Sequence, residues 1–184
     1  MSAHLFTIGH STHSLSRFLA LLDEHGVRVL ADIRRYPGSR KHPQFNQETL
    51  PGELERAGIE YRWFECLGGR RRAKVGGPSE NVGLRNESFR NYADYMATVE
   101  FQNGAERVLE ISREKPLAYM CAEGLFWQCH RRLVSDYFLM RGEAVLNILP
   151  SGEARPHVLT SGAVVRDGRL VYLPPPTDEP RLLF

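Results

Sequence analysis

The chain has 184 residues, 42% of them hydrophobic and 25% charged, with a formal net charge of +2, the size and balance of one globular domain that buries its own core. No run of about 18 apolar residues occurs, which argues against a membrane-spanning helix, and Met1 to Ile8 runs straight into a strand-like segment with no signal peptide. Three cysteines, an odd count without framework spacing, point to a reducing cytoplasm and away from a disulfide scaffold.

In chain order, Leu5 to Ile8 reads as a strand ending at Gly9. Ser14 is placed to cap a helix through about His25, with Phe18, Leu19, Leu21 and Leu22 on its apolar side and Gly26 as its stop. Val27 to Ile33 is nearly all apolar, as in a strand covered on both faces. A polar loop from Arg34 to Asn46 precedes a short helix over about Gln47 to Ala57, with Pro51 near its start and Gly58 as its stop, and a third strand from Ile59 to Phe64. The Gly- and Arg-rich stretch from Glu65 to about Glu87 is long for a loop, a length typical of functional or disordered segments. Ser88 opens helical segments through about Lys115, Leu117 to Cys121 is a fourth strand, Cys129 to Arg141 a helix stopped by Gly142, and Ala144 to Leu149 a fifth strand.

Strand alternating with helix predicts an α/β fold, a three-layer sandwich around a mostly parallel sheet of about five strands. Residues 1–150 make up this α/β domain. Residues 151–184 read as a C-terminal tail packed on the same domain, a lid or a dimer contact. It holds a hairpin signalled by Asp167-Gly168 between apolar runs, and an extended arm at Pro174-Pro175-Pro176.

Ligands of open parallel sheets bind beyond the carboxyl ends of the strands. Four such ends carry reactive or basic residues: Gly9-His10-Ser11, Asp32-Ile33-Arg34-Arg35, Leu67-Gly68-Gly69-Arg70-Arg71-Arg72 and Cys121-Ala122-Glu123. Chain direction puts all four on one rim. The basic residues are 21 Arg and only 3 Lys, and Arg is the planar, bidentate donor suited to phosphate and carboxylate. Segments 34–43 and 66–76 together carry +8 with no acid, against a total of +2, which leaves −6 for the rest of the chain. Such a rim attracts an anionic ligand, a nucleotide or nucleic acid, and aromatics interleave with it at Tyr36, Phe45, Tyr61, Trp63 and Phe64. Set against this is the plain reading of solvated loop charges and core aromatics.

Cys129 falls at an expected helix start, where free amides and the helix dipole favour a thiolate, and His130 and Arg131 add donors at the same end. Cys121 sits at a strand end; either thiol taken alone is equally well a small packed core residue. His10 follows a Gly turn on the same rim. Asp32 ends an apolar strand and is expected to pair with Arg34 or Arg35. The assignment is therefore Cys121, Cys129, His10 and Glu123 at a reacting end, and Gly9, Ser11, Asp32, Arg34, Arg35, Ser39, Arg40, Arg70, His130 and Arg131 around the ligand, with no residue assigned to a metal and no cofactor identified.

Thr7-Ile8-Gly9-His10-Ser11, Asp32-Ile33-Arg34-Arg35-Tyr36-Pro37-Gly38-Ser39-Arg40, Phe45-Asn46, Gly58-Ile59-Glu60-Tyr61 leading to Leu67-Gly68-Gly69-Arg70, Tyr92-Ala93-Asp94-Tyr95-Met96, and Cys121-Ala122-Glu123 with Cys129-His130-Arg131 together resemble the Domain of Unknown Function 488 family. The resemblance implies the fold and the position of the site, and names no reaction. Relative to that family, the stretch 124–128 is more aromatic, and Asn147 stands where a His is expected in the fifth strand.

Three functions compete. The first is binding of a phosphorylated ligand, with a Cys nucleophile and His10 or Glu123 as acid and base. The second is a non-catalytic nucleic-acid module held most strongly by Arg70, Arg71 and Arg72. The third is a metal site from His10, Cys121, Cys129 and His130. Against the third stands the expectation that adjacent Cys129 and His130, if both helical, point in different directions.

Overall fold

A computed structural model describes residues 4–73 and 77–174. Strands β1 (Leu5–Gly9), β2 (Val29–Asp32), β3 (Glu60–Trp63), β4 (Leu117–Cys121) and β5 (Val145–Ile148) run parallel in the order β3-β2-β4-β1-β5. A sixth strand, β6 (Ala154–Pro156), adds antiparallel to β5. This strand lay hidden in the tail, because three residues ending in Pro156 carry no alternation to read; Pro is tolerated there because the strand is an edge.

Five helices cover the sheet: α1 (Leu15–Glu24), α2 (Leu50–Arg56), α3 (Glu87–Met96), α4 (Val99–Glu114) and α5 (Arg131–Met140). Ser14 caps α1, its Oγ accepting from the Arg17 amide at 3.2 Å, and Gly26 takes a φ of 64° just beyond its end. The helical segments expected from Ser88 to Lys115 are two helices, α3 and α4. Asn86 caps the first, and Thr98 starts the second by accepting the Phe101 amide.

Strand alternation splits the core into two layers. Ile8, Leu30, Ala118, Met120 and Ile148 face Phe18, Leu21 and Leu22 of α1 and Leu50 and Leu54 of α2. Leu5, Val29, Ala31, Leu117, Tyr119 and Val145 face α3, α4 and α5 through Tyr92, Phe101, Val108, Leu133 and Phe138. Among the described residues no helix is long and apolar enough to cross a membrane.

The tail contains the expected hairpin, β7 (Ala163–Arg166) and β8 (Arg169–Tyr172). Asp167 and Gly168 both have positive φ, 50° and 73°, as a type I′ turn requires. Buried Asp136 of α5 accepts from His157 Nε2 at 2.8 Å, the Thr160 amide at 2.9 Å and the Tyr172 hydroxyl at 2.9 Å. Three separate points of the tail thus end on one carboxylate. The arm from residue 175 onward lies outside the described residues.

Candidate functional site

The chain leaves β1 toward α1 and β2 toward α2 on one face, but leaves β4 toward α5 on the other. Because β4 lies between β2 and β1, the backbone diverges on both sides of its carboxyl end, where α/β sheets open a crevice. A cleft of about 650 Å³ occupies that point, lined from the loops after β1, β2 and β4, from residues 69–70 and from α3.

Cys121, Cys129 and His130 form the cleft floor. Cys121 shares strand parity with Leu117 and Tyr119 and so points to the α5 side. Residues 126–128 form a 3-10 turn, which delays α5 to Arg131. Cys129 is therefore extended, with φ −128° and ψ 152°, and His130 is the N-cap of α5. This overturns the expectation that their side chains diverge. Both sulfurs face one ring nitrogen, with His130 Nδ1 3.5 Å from Cys129 Sγ and 3.8 Å from Cys121 Sγ. The other ring nitrogen, Nε2, lies 3.2 Å from the Ile33 carbonyl. A carbonyl only accepts, so Nε2 carries the proton and Nδ1 presents its lone pair to the sulfurs.

The two thiols divide in proton affinity. Burial favours the neutral form of Cys129, but the hydrogen bond with Cys121 and the charge of Arg131 favour its thiolate and hold Cys129 well below the usual thiol range. Cys121, hydrogen-bonded to Cys129, buried, and repelled by its negative charge, is pushed well above that range.

Even-numbered strand parity sends His10 to the opposite face, against α1 and α2. It stacks on Phe45 with ring centroids 4.4 Å apart, and its Nδ1 lies 3.0 Å from the Ser11 carbonyl. Nδ1 therefore carries the proton and Nε2 is free to accept. Burial, and next the charge of Arg34, lower its pKa to about 4. His10 lines the cleft but does not join the Cys–His cluster, which corrects the four-residue metal set.

Asp32 is fully buried and pairs with Arg34 through contacts of 2.5–3.1 Å, while Tyr61 donates to it at 2.8 Å. Arg34 also donates to the Phe45 carbonyl at 2.8 Å. Arg34 lines the cleft with its charge already balanced; Asp32 does not line it. Arg35, Lys41 and Arg70 line it with no carboxylate partner among the described residues, and Glu123 is the one acidic residue of the lining. Arg35 also fixes the loop opposite, donating to the Arg70 carbonyl at 2.9 Å. Ser11 and Ser39 line the cleft as well, and Ser39 also shapes its loop, its amide bound by Asn46 and its hydroxyl accepting from the His42 amide.

Other expected ligand-contacting residues lie elsewhere. Arg131 is 1% exposed and donates to Thr7 Oγ1 at 3.0 Å and to the Glu123 and Gly124 carbonyls. It therefore holds the loop after β4 instead of lining the cleft. Gly9 packs its α-carbon against the Glu123 carbonyl, leaving no room for a side chain. Arg40 is exposed, outside the cleft lining. Arg71 is spent on the carbonyls of Gly68 and Glu65 and stacks over Tyr95. Lys74 lies outside the described residues. Of the aromatics, Phe45 and Phe64 are core, whereas Tyr36 and Trp63 are 63% and 42% exposed. Sequence reasoning missed His42 and the α3 residues Ser88, Phe89 and Tyr92 as cleft residues. The α3 residues read only as a helix face, and no local spacing signals that α3 crosses the strand ends.

The family model for Domain of unknown function DUF488 matches residues 14–138, about two-thirds of the chain, and the chain belongs to that family. The match spans the N-cap of α1 through most of α5, and so includes both cysteines, His130 and the basic loops. No curated protein and no solved structure matches the chain significantly.

Proposed function

We propose that this member of the Domain of Unknown Function 488 family binds a small phosphorylated ligand of nucleotide size in the strand-end cleft, with the Cys121–Cys129–His130 floor at the reacting end. The observation that carries the reading is the charge of the lining, where Arg35, Lys41 and Arg70 converge without carboxylate partners among the described residues and face a single acid, Glu123. Arg offers the forked donors that phosphate oxygens accept, and the cleft volume of about 650 Å³ is that of a small-molecule site. His10 Nε2 and the hydroxyls of Ser11 and Ser39 supply neutral contacts. The three free cysteines suit a reducing cytoplasm.

Titration calorimetry with AMP and inorganic phosphate tests this. Replacing Arg35 and Arg70 together by Ala is expected to lower affinity at least about 10-fold, since each charge-assisted hydrogen bond contributes roughly 1.5–3 kcal/mol. Cys129→Ser should bind as wild type and lose any turnover. Equal affinity in wild type and the double variant would remove the reading. A second reading, binding of single-stranded nucleic acid, is favoured by the exposed rings of Tyr36 and Trp63, with the Arg35 guanidinium 5.6 Å from the Tyr36 centroid. It predicts a steep fall of affinity with salt and a loss on Tyr36→Ala.

A further inference from the structure

We propose that Cys121, Cys129 and His130 are three ligands of a thiophilic divalent metal ion of the zinc class, with a fourth position open to the cleft. The proposal goes beyond the phosphate reading and stands whether or not the cleft takes an anion.

The distances carry it. A tetrahedral zinc ion with bonds of about 2.3 Å to sulfur and about 2.05 Å to nitrogen separates its ligand atoms by about 3.6 Å for N and S and about 3.8 Å for two S. The two N···S separations here are 3.5 and 3.8 Å, and all three donor atoms lie within 4.8 Å of one another. Hydrogen bonding alone fits less well, because the single lone pair of His130 Nδ1 faces two sulfurs and accepts fully from only one. An ion on the axis of that lone pair satisfies all three donor atoms.

The surroundings match those of metal ligands. The Ile33 carbonyl fixes the tautomer and orientation of His130 through Nε2, the usual outer contact of a ligating imidazole. The Arg131 amide points at Cys129 Sγ from 3.5 Å. The Arg131 guanidinium is buried, its Nε has no hydrogen-bond partner, and no carboxylate pairs with it among the described residues. Cys121 comes from the carboxyl end of β4, Cys129 and His130 come from the loop-and-helix junction before α5, and the cleft supplies the open side.

Protein stripped of metal with a chelator, freed of the chelator and kept reduced is titrated with Co²⁺ and then Zn²⁺. One equivalent of Co²⁺ is expected, with intense tetrahedral ligand-field bands and thiolate-to-cobalt charge transfer, displaced by one equivalent of Zn²⁺. Cys66→Ser should leave the spectrum unchanged. Cys121→Ser, Cys129→Ser and His130→Gln should each weaken binding by at least about 10-fold. A wild-type protein without thiolate charge transfer, or a Cys129→Ser protein that keeps it at full intensity, would overturn the site. The wild-type spectrum decides the matter even if a variant misfolds, and AMP calorimetry on metal-free protein reports separately on the phosphate reading.

Discussion

His10 shows how a single side chain records which layer of the sheet it belongs to. Burial and the nearby Arg34 charge hold its pKa at about 4 in the folded protein, against about 6.5 in an unfolded chain. The unfolded state therefore takes up the proton first as pH falls. Any stability tied to the neutral ring is complete above pH 6.5, declines as pH drops through that value, and levels off near 4. Urea unfolding at pH 7 and pH 5 should show a smaller acid loss for His10→Asn than for wild type; identical losses would contradict the burial account. Arg131 makes the complementary point. Its charge was legible in the sequence, and its position after Cys129 suggested a ligand-holding role. What the sequence did not carry is that Thr7 and the Glu123 carbonyl close around it, contacts separated by 124 and 8 positions. Asp32 was readable because an unpaired carboxylate at the end of an apolar strand has to find a cation, and Arg34 lies two residues away.

Elements were most legible where their pattern is local. β4 was placed residue for residue at Leu117–Cys121, and the α1 cap at Ser14 and the Asp167-Gly168 turn follow from short-range chemistry. The α5 start was misplaced, because nothing in residues 124–128 marks a 3-10 turn, and that shift decides whether Cys129 and His130 converge. The register that pairs Gly9 with Cys121 separates His10 from Cys121, although both lie on one rim, and that register is not readable from two strands that are apolar nearly throughout. The hairpin illustrates an element held from outside its own sequence. Tyr172 donates its hydroxyl to Asp136 and its amide to Asn81, so β8 depends on α5 and on the loop before α3. Tyr172→Phe should destabilise the protein by about 1 kcal/mol. In hydrogen exchange it should speed the amides of β8 before those of β4; uniform acceleration through both would show that the hairpin opens only with the whole sheet.

For the whole molecule, strand order turns a row of suggestive strand ends into a site. The order β3-β2-β4-β1-β5 seats β4 between two strands whose chains leave to the other face, and only then do Cys121, His10 and the two Arg-rich loops share one cleft. Charge segregation of +8 against −6 was countable from the sequence. Which charges remain free was not: Arg34 is balanced by Asp32, and Arg71 is committed to its own loop. Arg35, Lys41 and Arg70 line the cleft with no carboxylate partner among the described residues, and on the proposed reading these are the charges that meet the anion. A second, smaller cavity of about 320 Å³ lies between α4, α5 and the hairpin and serves as an internal control. Backbone amide NMR during titration with AMP distinguishes the two directly. The account predicts shifts confined to the cleft, at Ser11, Thr12, Arg35, Ser39, Gly69 and Gly124, with Gln102, Asn103 and Arg169 unmoved. Shifts centred on Gln102, Asn103 and Arg169, or none at saturating AMP, would contradict it.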